Sequence, residues 1–245
     1  MSDRESDLAA ALSGLRDRLA AAAQAAGRDV ADVELLPITK FFPATDVAIL
    51  WRLGCRSFGE SRDQEASTKV AELQALTGAD DAHWHMVGQI QSNKAKHIAR
   101  WADTVHSLST AKVAAALDRG ALQAIDEGLR TGPVKVFVQI SLDGDTERGG
   151  VDVGDPAAVD AICDQVARAP GLALIGLMAV PPLGADPDTA FAALADEHRR
   201  VLRNHPEATE LSAGMSGDLE VAVRHGSTCV RVGTALLGQR PLTSP

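Results

Sequence analysis

The sequence predicts an α/β fold, a single (β/α)8 barrel of TIM type over residues 1–245, and three observations carry that prediction. Short apolar runs of strand length alternate with amphipathic segments of helical period from one end of the chain to the other. Eight such runs occur, each apolar along most of its length, as parallel strands covered on both faces are. A length of 245 residues suits one barrel of this kind. An open doubly wound sheet would place a G-x-G-x-x-G turn after its first strand, and the sequence has none there.

Ser2 and Glu5 form a capping-box pattern, after which Leu8, Leu12, Leu15 and Leu19 recur at helical spacing until Gly27. VELLPITK (33–40) reads as the first strand, followed by a helix from about Thr45 that stops at Gly54. CRSFGES precedes a helix carrying Ala66, Val70 and Leu73; WHMVGQI precedes one from Ser92 through Ile98; DTVHSLS precedes one with Val113, Leu117 and Ile125. VKVFVQIS leads to a helix announced by Asp155 and Pro156, an N-cap followed by proline at the first helical position. LALIGLMAV leads to one announced in the same way by Asp186 and Pro187. TELSAG leads to a short helix from Ser216 to Gly226, and CVRVGTALLG supplies the eighth strand. Little chain follows that strand, so the N-terminal helix is expected to take the place of an eighth outer helix. No linker, low-complexity tract or second domain interrupts the series.

A net charge of −9 argues against a nucleic-acid surface, which needs clustered Lys and Arg, while leaving room for one small anion. No apolar run approaches the roughly 18 to 20 residues needed to span a bilayer. The N-terminus, MSDRESDLAAAL, is acidic and lacks the basic stretch of a secretory signal, so the expected location is the cytoplasm. Cys55, Cys163 and Cys229 are widely spaced and form no CxxC pair; they read as small core residues.

In such a barrel the chemistry sits at the C-terminal ends of the strands, often with a phosphate site in the loops after strands seven and eight. Lys40 ends strand one, just before Phe41, Phe42 and Pro43. A lysine beside aromatic surface at a barrel mouth can lose the hydration of its ammonium and free its amine to attack an aldehyde; the plainer reading is a solvated lysine that ends a strand. SAGMS (212–216) ends strand seven and opens a helix, so Ser216 can act as N-cap while its hydroxyl and the free backbone N–H groups face an anion. RVGT (231–234) belongs to strand eight, where Gly233 permits close approach and Thr234 can donate from its hydroxyl and N–H. Together they would form a phosphate cup opposite Lys40, although each residue alone could serve capping or packing. Arg231, two residues before Gly233, shares its side of the strand one step deeper, and either a ring nitrogen or a salt bridge to Asp218 or Glu220 would be its partner. His83 and His85 share a strand face without a carboxylate at ligand spacing, so they read as hydrogen-bonded residues of the barrel and no metal site is expected.

The motifs PITKFFP around Lys40, FGESRDQE (58–65), WHMVGQIQSNK (84–94), VHSLS (105–109), IGLMAV (175–180), LSAGMSGDLEVAV (211–223) and GSTCVRVGTALLG (226–238) run through nearly the whole chain. Their ordered set resembles the YggS/PROSC pyridoxal-phosphate homeostasis proteins. That resemblance implies a fold-type III barrel without the C-terminal β domain. Lys40 would hold pyridoxal 5′-phosphate (PLP) as a Schiff base, Ser216, Gly233 and Thr234 would bind its phosphate, and Arg231 would face the pyridine nitrogen. It also implies a role in intracellular PLP (vitamin B6) homeostasis, with PLP-accepting apoenzymes as partners and the chain a monomer or weak dimer. Two positions depart from the family pattern. Ser61 stands where the family has asparagine, and a serine replaces one hydrogen bond of the amide, not two or three. Phe41 and Phe42 stand where the family has a second lysine near the first, which disfavours transfer of the cofactor between neighbouring lysines.

The ring of PLP acts best as an electron sink when a carboxylate holds a proton on its nitrogen, and arginine there does the opposite. Alanine racemases of the same barrel type manage with arginine, but use a tyrosine from a second domain as one of two bases. This sequence contains no tyrosine and reads as one domain, so racemisation of that type is not expected and no residue is assigned a catalytic role. A PLP-dependent racemase or related amino-acid enzyme, and a Schiff-base aldolase acting on a phosphosugar, are the alternatives.

Overall fold

The computed structural model describes residues 2–239. In chain order its main elements are α1 (Asp3–Ala25), β1 (Glu34–Pro37), α2 (Ala44–Arg52), β2 (Ser57–Glu60), α3 (Asp63–Thr77), β3 (His83–Met86), α4 (Ala95–Trp101), β4 (Thr104–Leu108), α5 (Ala111–Asp126) and β5 (Val134–Ser141). They continue with β6 (Val151–Asp152), α6 (Pro156–Arg168), β7 (Leu172–Met178), α7 (Pro187–Leu202), β8 (Glu210–Ser212), α8 (Leu219–Arg224), β9 (Cys229–Val232) and α9 (Thr234–Leu237). The strands pair in parallel in the order β1-β9-β8-β7-β5-β4-β3-β2. The ring closes narrowly: β1 meets β2 through one parallel bridge, Ile38 to Gly59, reinforced by the Thr39 N–H donating to the Gly59 carbonyl at 2.9 Å. All eight expected barrel strands are present. β6 is an added two-residue strand outside the ring, paired only with β5, so β8 and β9 are the seventh and eighth strands of the barrel.

Four helices, α1, α5, α6 and α7, start where a side chain satisfies one of the first free N–H groups. Ser2 accepts from Glu5 N, Asp155 from Ala158 N and Asp186 from Thr189 N, and proline opens α6 and α7 as the sequence announced. α1 buries Leu8, Leu12, Leu15 and Leu19 against α2, α8 and α9, where an eighth outer helix is expected. One apolar cluster joins α1 and α2 to β2, α8 and β9; a larger one joins β3 to β8 with the helices packed over them. Cys55, Cys163 and Cys229 are buried free thiols within this apolar interior. No helix among the described residues is long and apolar enough to cross a membrane.

The starts of two helices, α4 and α8, differ from the sequence reading. α4 begins at Ala95 rather than Ser92, because residues 91–94 close a turn through Lys94 N–H to the Gln91 carbonyl and the helical bonds start only from Lys94.

Two glycines test this packing in opposite directions. A Cβ at Gly176, in β7 beside Glu210 of β8, would lie 1.7 Å from the Glu210 carbonyl oxygen, whereas Gly14 on the exposed side of α1 has nothing within 4 Å. Gly176→Ala should cost roughly 1 to 3 kcal/mol or more through overpacking, and Gly14→Ala should gain roughly 0.5 to 1 kcal/mol in a helix interior. Urea titration of both variants checks this. Equal midpoints would contradict the β7–β8 register.

Candidate functional site

Lys40 stands where β1 runs out at the C-terminal mouth. Ile38 is still bridged to Gly59, Thr39 is buried, and Lys40 then enters a turn closed by the Phe42 N–H donating to the Thr39 carbonyl at 3.1 Å. Phe41, third in that turn, has φ of 70°, a left-handed conformation usually taken by glycine. The half-buried Lys40 places its ammonium 5.9 Å from the Phe41 ring centroid, and its amine has no hydrogen-bond or ion-pair partner among the described residues. Of the two phenylalanines only Phe41 supplies the aromatic surface; Phe42 lies instead under the guanidinium of Arg4.

The other expected residues gather where β8 and β9 end. Ser216 does not cap a helix, contrary to the sequence reading. The Asp218 carboxylate accepts the Met215 N–H at 2.6 Å and holds a turn there, so α8 starts only at Leu219. The Ser216 hydroxyl turns toward α9 and accepts the Ala235 N–H at 3.4 Å. Thr234 likewise lies beyond its strand, since β9 stops at Val232 and Thr234 opens α9; its hydroxyl has no partner among the described residues. Ser216 thus faces the 233–235 backbone by a different route from the one expected. Arg18 of α1 fixes the outer side of this loop, donating to the Ser216 carbonyl at 3.2 Å while pairing with Glu220 at 2.8 Å.

A Cβ on Gly217 would meet nothing within 4 Å, so the space there is open, while one on Gly233 would sit in ordinary contact with Ile38 at 3.6 Å. Two hydroxyls and backbone N–H groups bordering open space are suited to a small dianion. The cup is not across the barrel from Lys40. β1 and β9 are hydrogen-bonded neighbours, with Leu36 opposite Arg231 and Pro37 opposite Val232, so lysine and cup rise from adjacent strand ends.

Arg231 lies on β9 opposite Leu36, deeper in the barrel than Lys40, and is 6% exposed. Its Nη1 donates to Ser212 Oγ at 2.5 Å and its Nη2 to the Ala179 carbonyl at 2.9 Å. Neither expected carboxylate reaches it: Glu220 pairs with Arg18, and Asp218 closes the 215–218 turn. A guanidinium has five N–H donors, so three remain without an acceptor among the described residues. Burial pushes its pKa down, but from so high a starting value that it stays charged.

Below Arg231 a polar chain continues down the barrel axis. Ser212 Oγ lies 2.8 Å from His106 Nδ1, and His106 Nε2 lies 2.9 Å from His85 Nδ1. His85 in turn lines a cavity of about 340 Å³ at the opposite mouth, with Glu34, Asp103 and Glu210. Burial holds both imidazoles below their ordinary range, His106 well below because His85 and Arg231 add to the effect. The sequence reading missed Ser212 and the Ala179 carbonyl as the holders of Arg231. A polar residue closing the apolar run TELS was the signal available for Ser212; a backbone carbonyl leaves none.

Comparison with known proteins gives a consistent picture. The family described as alanine racemase, N-terminal domain, matches residues 11–241. A pyridoxal phosphate homeostasis protein of Mycobacterium leprae is 62% identical over 248 residues, covering 99% of this chain and 96% of the relative. Among solved structures, PipY of Synechococcus elongatus with PLP bound aligns with a TM-score of 0.79 at 33% identity, covering 94% of this chain and all of that one (100%). The alanine racemase of Corynebacterium glutamicum aligns with a TM-score of 0.63 at 16% identity over 92% of this chain and 60% of its own, a likeness of fold alone.

The buried histidines make stability depend on pH with a definite sign. Their folded-state pKa values lie below the unfolded value of about 6.5, so below that pH the unfolded chain binds protons that the folded one does not. Their contribution is complete above about pH 6.5 and is lost as the pH falls, by up to about 1.4 kcal/mol per pH unit for each histidine. Urea midpoints at about pH 7.5 and pH 5.5 should fall less in His106→Asn than in the parent. An identical fall in both would show that His106 is not held neutral.

Proposed function

The chain belongs to the pyridoxal phosphate homeostasis family of alanine-racemase-type barrels, and from that premise we propose that it binds PLP at the C-terminal mouth and serves in handling that cofactor rather than in turning over amino acids. The observation that carries the reading is Arg231, a buried guanidinium with neutral acceptors and spare donors, on the strand that leads into the 233–235 loop and pairs with the strand that leads to Lys40. Each part of PLP then has a matching group. Lys40 would bond the aldehyde carbon through Nζ, the carbonyl oxygen leaving as water. Ser216 Oγ, the Thr234 hydroxyl and the N–H groups of 233–235 would hold the phosphate, and Arg231 would give an unused N–H to the ring nitrogen.

When bound, PLP supplies an aldehyde and a pyridine ring able to take up electrons, most strongly when the ring nitrogen is protonated. Arg231 can only donate at that atom and so keeps it unprotonated. The chain's own bases are also poorly placed for catalysis. It contains no tyrosine, and His85 and His106 are bonded to each other and to Ser212 inside the barrel rather than projecting over the mouth. We therefore assign no catalytic residue. The barrel as one unit would hand PLP to apoenzymes in the cytoplasm, as a monomer or weak dimer.

Removing single donors from the cup tests the phosphate assignment. Ser216→Ala and Thr234→Ala should each weaken PLP binding by roughly 1.5 to 3 kcal/mol, the worth of a charge-assisted hydrogen bond. Competitive dialysis against the parent measures it, and undiminished occupancy in the double variant would put the phosphate elsewhere. The carrier reading has its own test. PLP-loaded protein incubated with L-alanine in deuterated water should exchange the α-proton no faster than Lys40→Ala does; exchange at an enzyme's rate, lost in that variant, would make the chain an enzyme.

A further inference from the structure

Beneath Lys40 lies a group of charged side chains that the reading above leaves unused. Lys69 of α3 is 4% exposed, and its ammonium reaches the Thr39 carbonyl at 2.9 Å, Glu60 Oε1 at 2.7 Å and Glu65 Oε1 at 3.1 Å. An ammonium has three N–H donors, and this geometry uses all of them. Glu60, at the end of β2, is 0% exposed; its Oε1 also accepts the Thr39 hydroxyl at 2.6 Å, while its Oε2 is buried with no hydrogen-bond partner among the described residues. Burial pushes the Glu60 carboxyl up against the downward pull of Lys69. A buried ion pair with an unpartnered oxygen is a poor source of net stability, since its desolvation offsets most of the attraction.

What these groups do achieve is a grip on the peptide of Lys40. The carbonyl before Lys40, that of Thr39, accepts from Lys69, and the N–H after it, that of Phe41, donates to Glu65 Oε1 at 2.6 Å. The residue between those two bonds is the one with the free amine. Phe41 holds φ of 70°, which costs a residue with a Cβ on the order of 1 to 3 kcal/mol and persists only where the surroundings over-determine it. The Phe41 N–H to Glu65 and the Lys69 ammonium to the Thr39 carbonyl are constraints from outside the turn, placed on either side of Lys40.

We propose that Lys69 and Glu65 are positioning residues, which hold the strained turn Thr39–Phe42 from both sides of Lys40 and so aim its amine at the incoming aldehyde. Glu60 anchors Lys69 from below. The inference rests on the reading that Lys40 bonds PLP, and it adds that the covalent step depends on α3, an element that supplies no group to the cofactor itself.

The test separates aiming of the amine from binding of the ring and phosphate. Pyridoxine 5′-phosphate carries an alcohol in place of the aldehyde, so it can occupy the site but cannot bond Lys40. Glu65 is 26% exposed on its side chain, so Glu65→Ala opens to solvent rather than emptying the core. In the full-length chain, Glu65→Ala should slow growth of the visible absorbance band with PLP by about tenfold or more, the equivalent of roughly 1.4 kcal/mol of lost positioning. Its affinity for the alcohol should stay within about twofold of the parent's, a difference of roughly 0.4 kcal/mol. Glu65→Gln, whose Oε1 can still accept the Phe41 N–H, should restore the rate. Glu65→Asp, which keeps the charge but draws the oxygen back by one carbon, should behave as Glu65→Ala and replaces it if that variant fails to fold. An unchanged rate in Glu65→Ala, or equal loss of PLP and the alcohol, would overturn the clamp. A parent that binds the alcohol but never develops the band would overturn the Lys40 reading first, and the clamp with it.

Discussion

A ring of eight parallel strands has to join its two edges, and here those edges are β1 and β2. They touch through little more than the Ile38–Gly59 bridge, and a Cβ on Gly59 would come within 2.5 Å of the Ile38 side chain. The close approach at this seam sets the course of the chain beyond it. Just past the bridge, β1 turns out of the barrel, and Lys40 is the second residue of that turn, Thr39–Phe42. Because β1 is bonded on its other side to β9, the same register brings Arg231 and the 233–235 loop alongside. Lysine, guanidinium and anion cup are thereby fixed relative to one another by backbone pairing.

Much of this was legible in the sequence because it rests on local chemistry. The Asp–Pro starts of α6 and α7, the leucine stripe of α1 and the apolar strand runs each carry their reason within a few residues. Lys40, Ser216, Gly233 and Thr234 follow from the rule that barrel chemistry collects at strand ends; Ser216 meets the 233–235 backbone, and Lys40 lies just past the end of the neighbouring strand. The illegible parts depend on partners distant in sequence. Whether Ser216 caps α8 was decided by Asp218, whose carboxylate takes the Met215 N–H first. The partners of Arg231 are a hydroxyl and a main-chain carbonyl rather than the carboxylates nearby in sequence. Lys69 with Glu65 reads as an ordinary exposed i, i+4 pair on a helix, and only the tertiary structure turns it inward beneath Lys40.

The two buried cations of the site are handled in contrasting ways. Lys69 is saturated, with every donor committed to the chain's own oxygens, and so acts on structure. Arg231 is left with donors to spare and neutral neighbours, and so is suited to an acceptor from outside. The same arginine that favours a pyridine nitrogen as a binding partner disfavours its protonation. With the ring placed as proposed, retention of the cofactor and weak support for carbanion chemistry would both follow from one side chain.

The lysine that meets the cofactor decides the rest. Protein loaded with PLP, reduced with borohydride and digested, should carry the pyridoxyl group on the peptide containing Lys40. A group found instead on Lys94, or spread over several surface lysines, would contradict it.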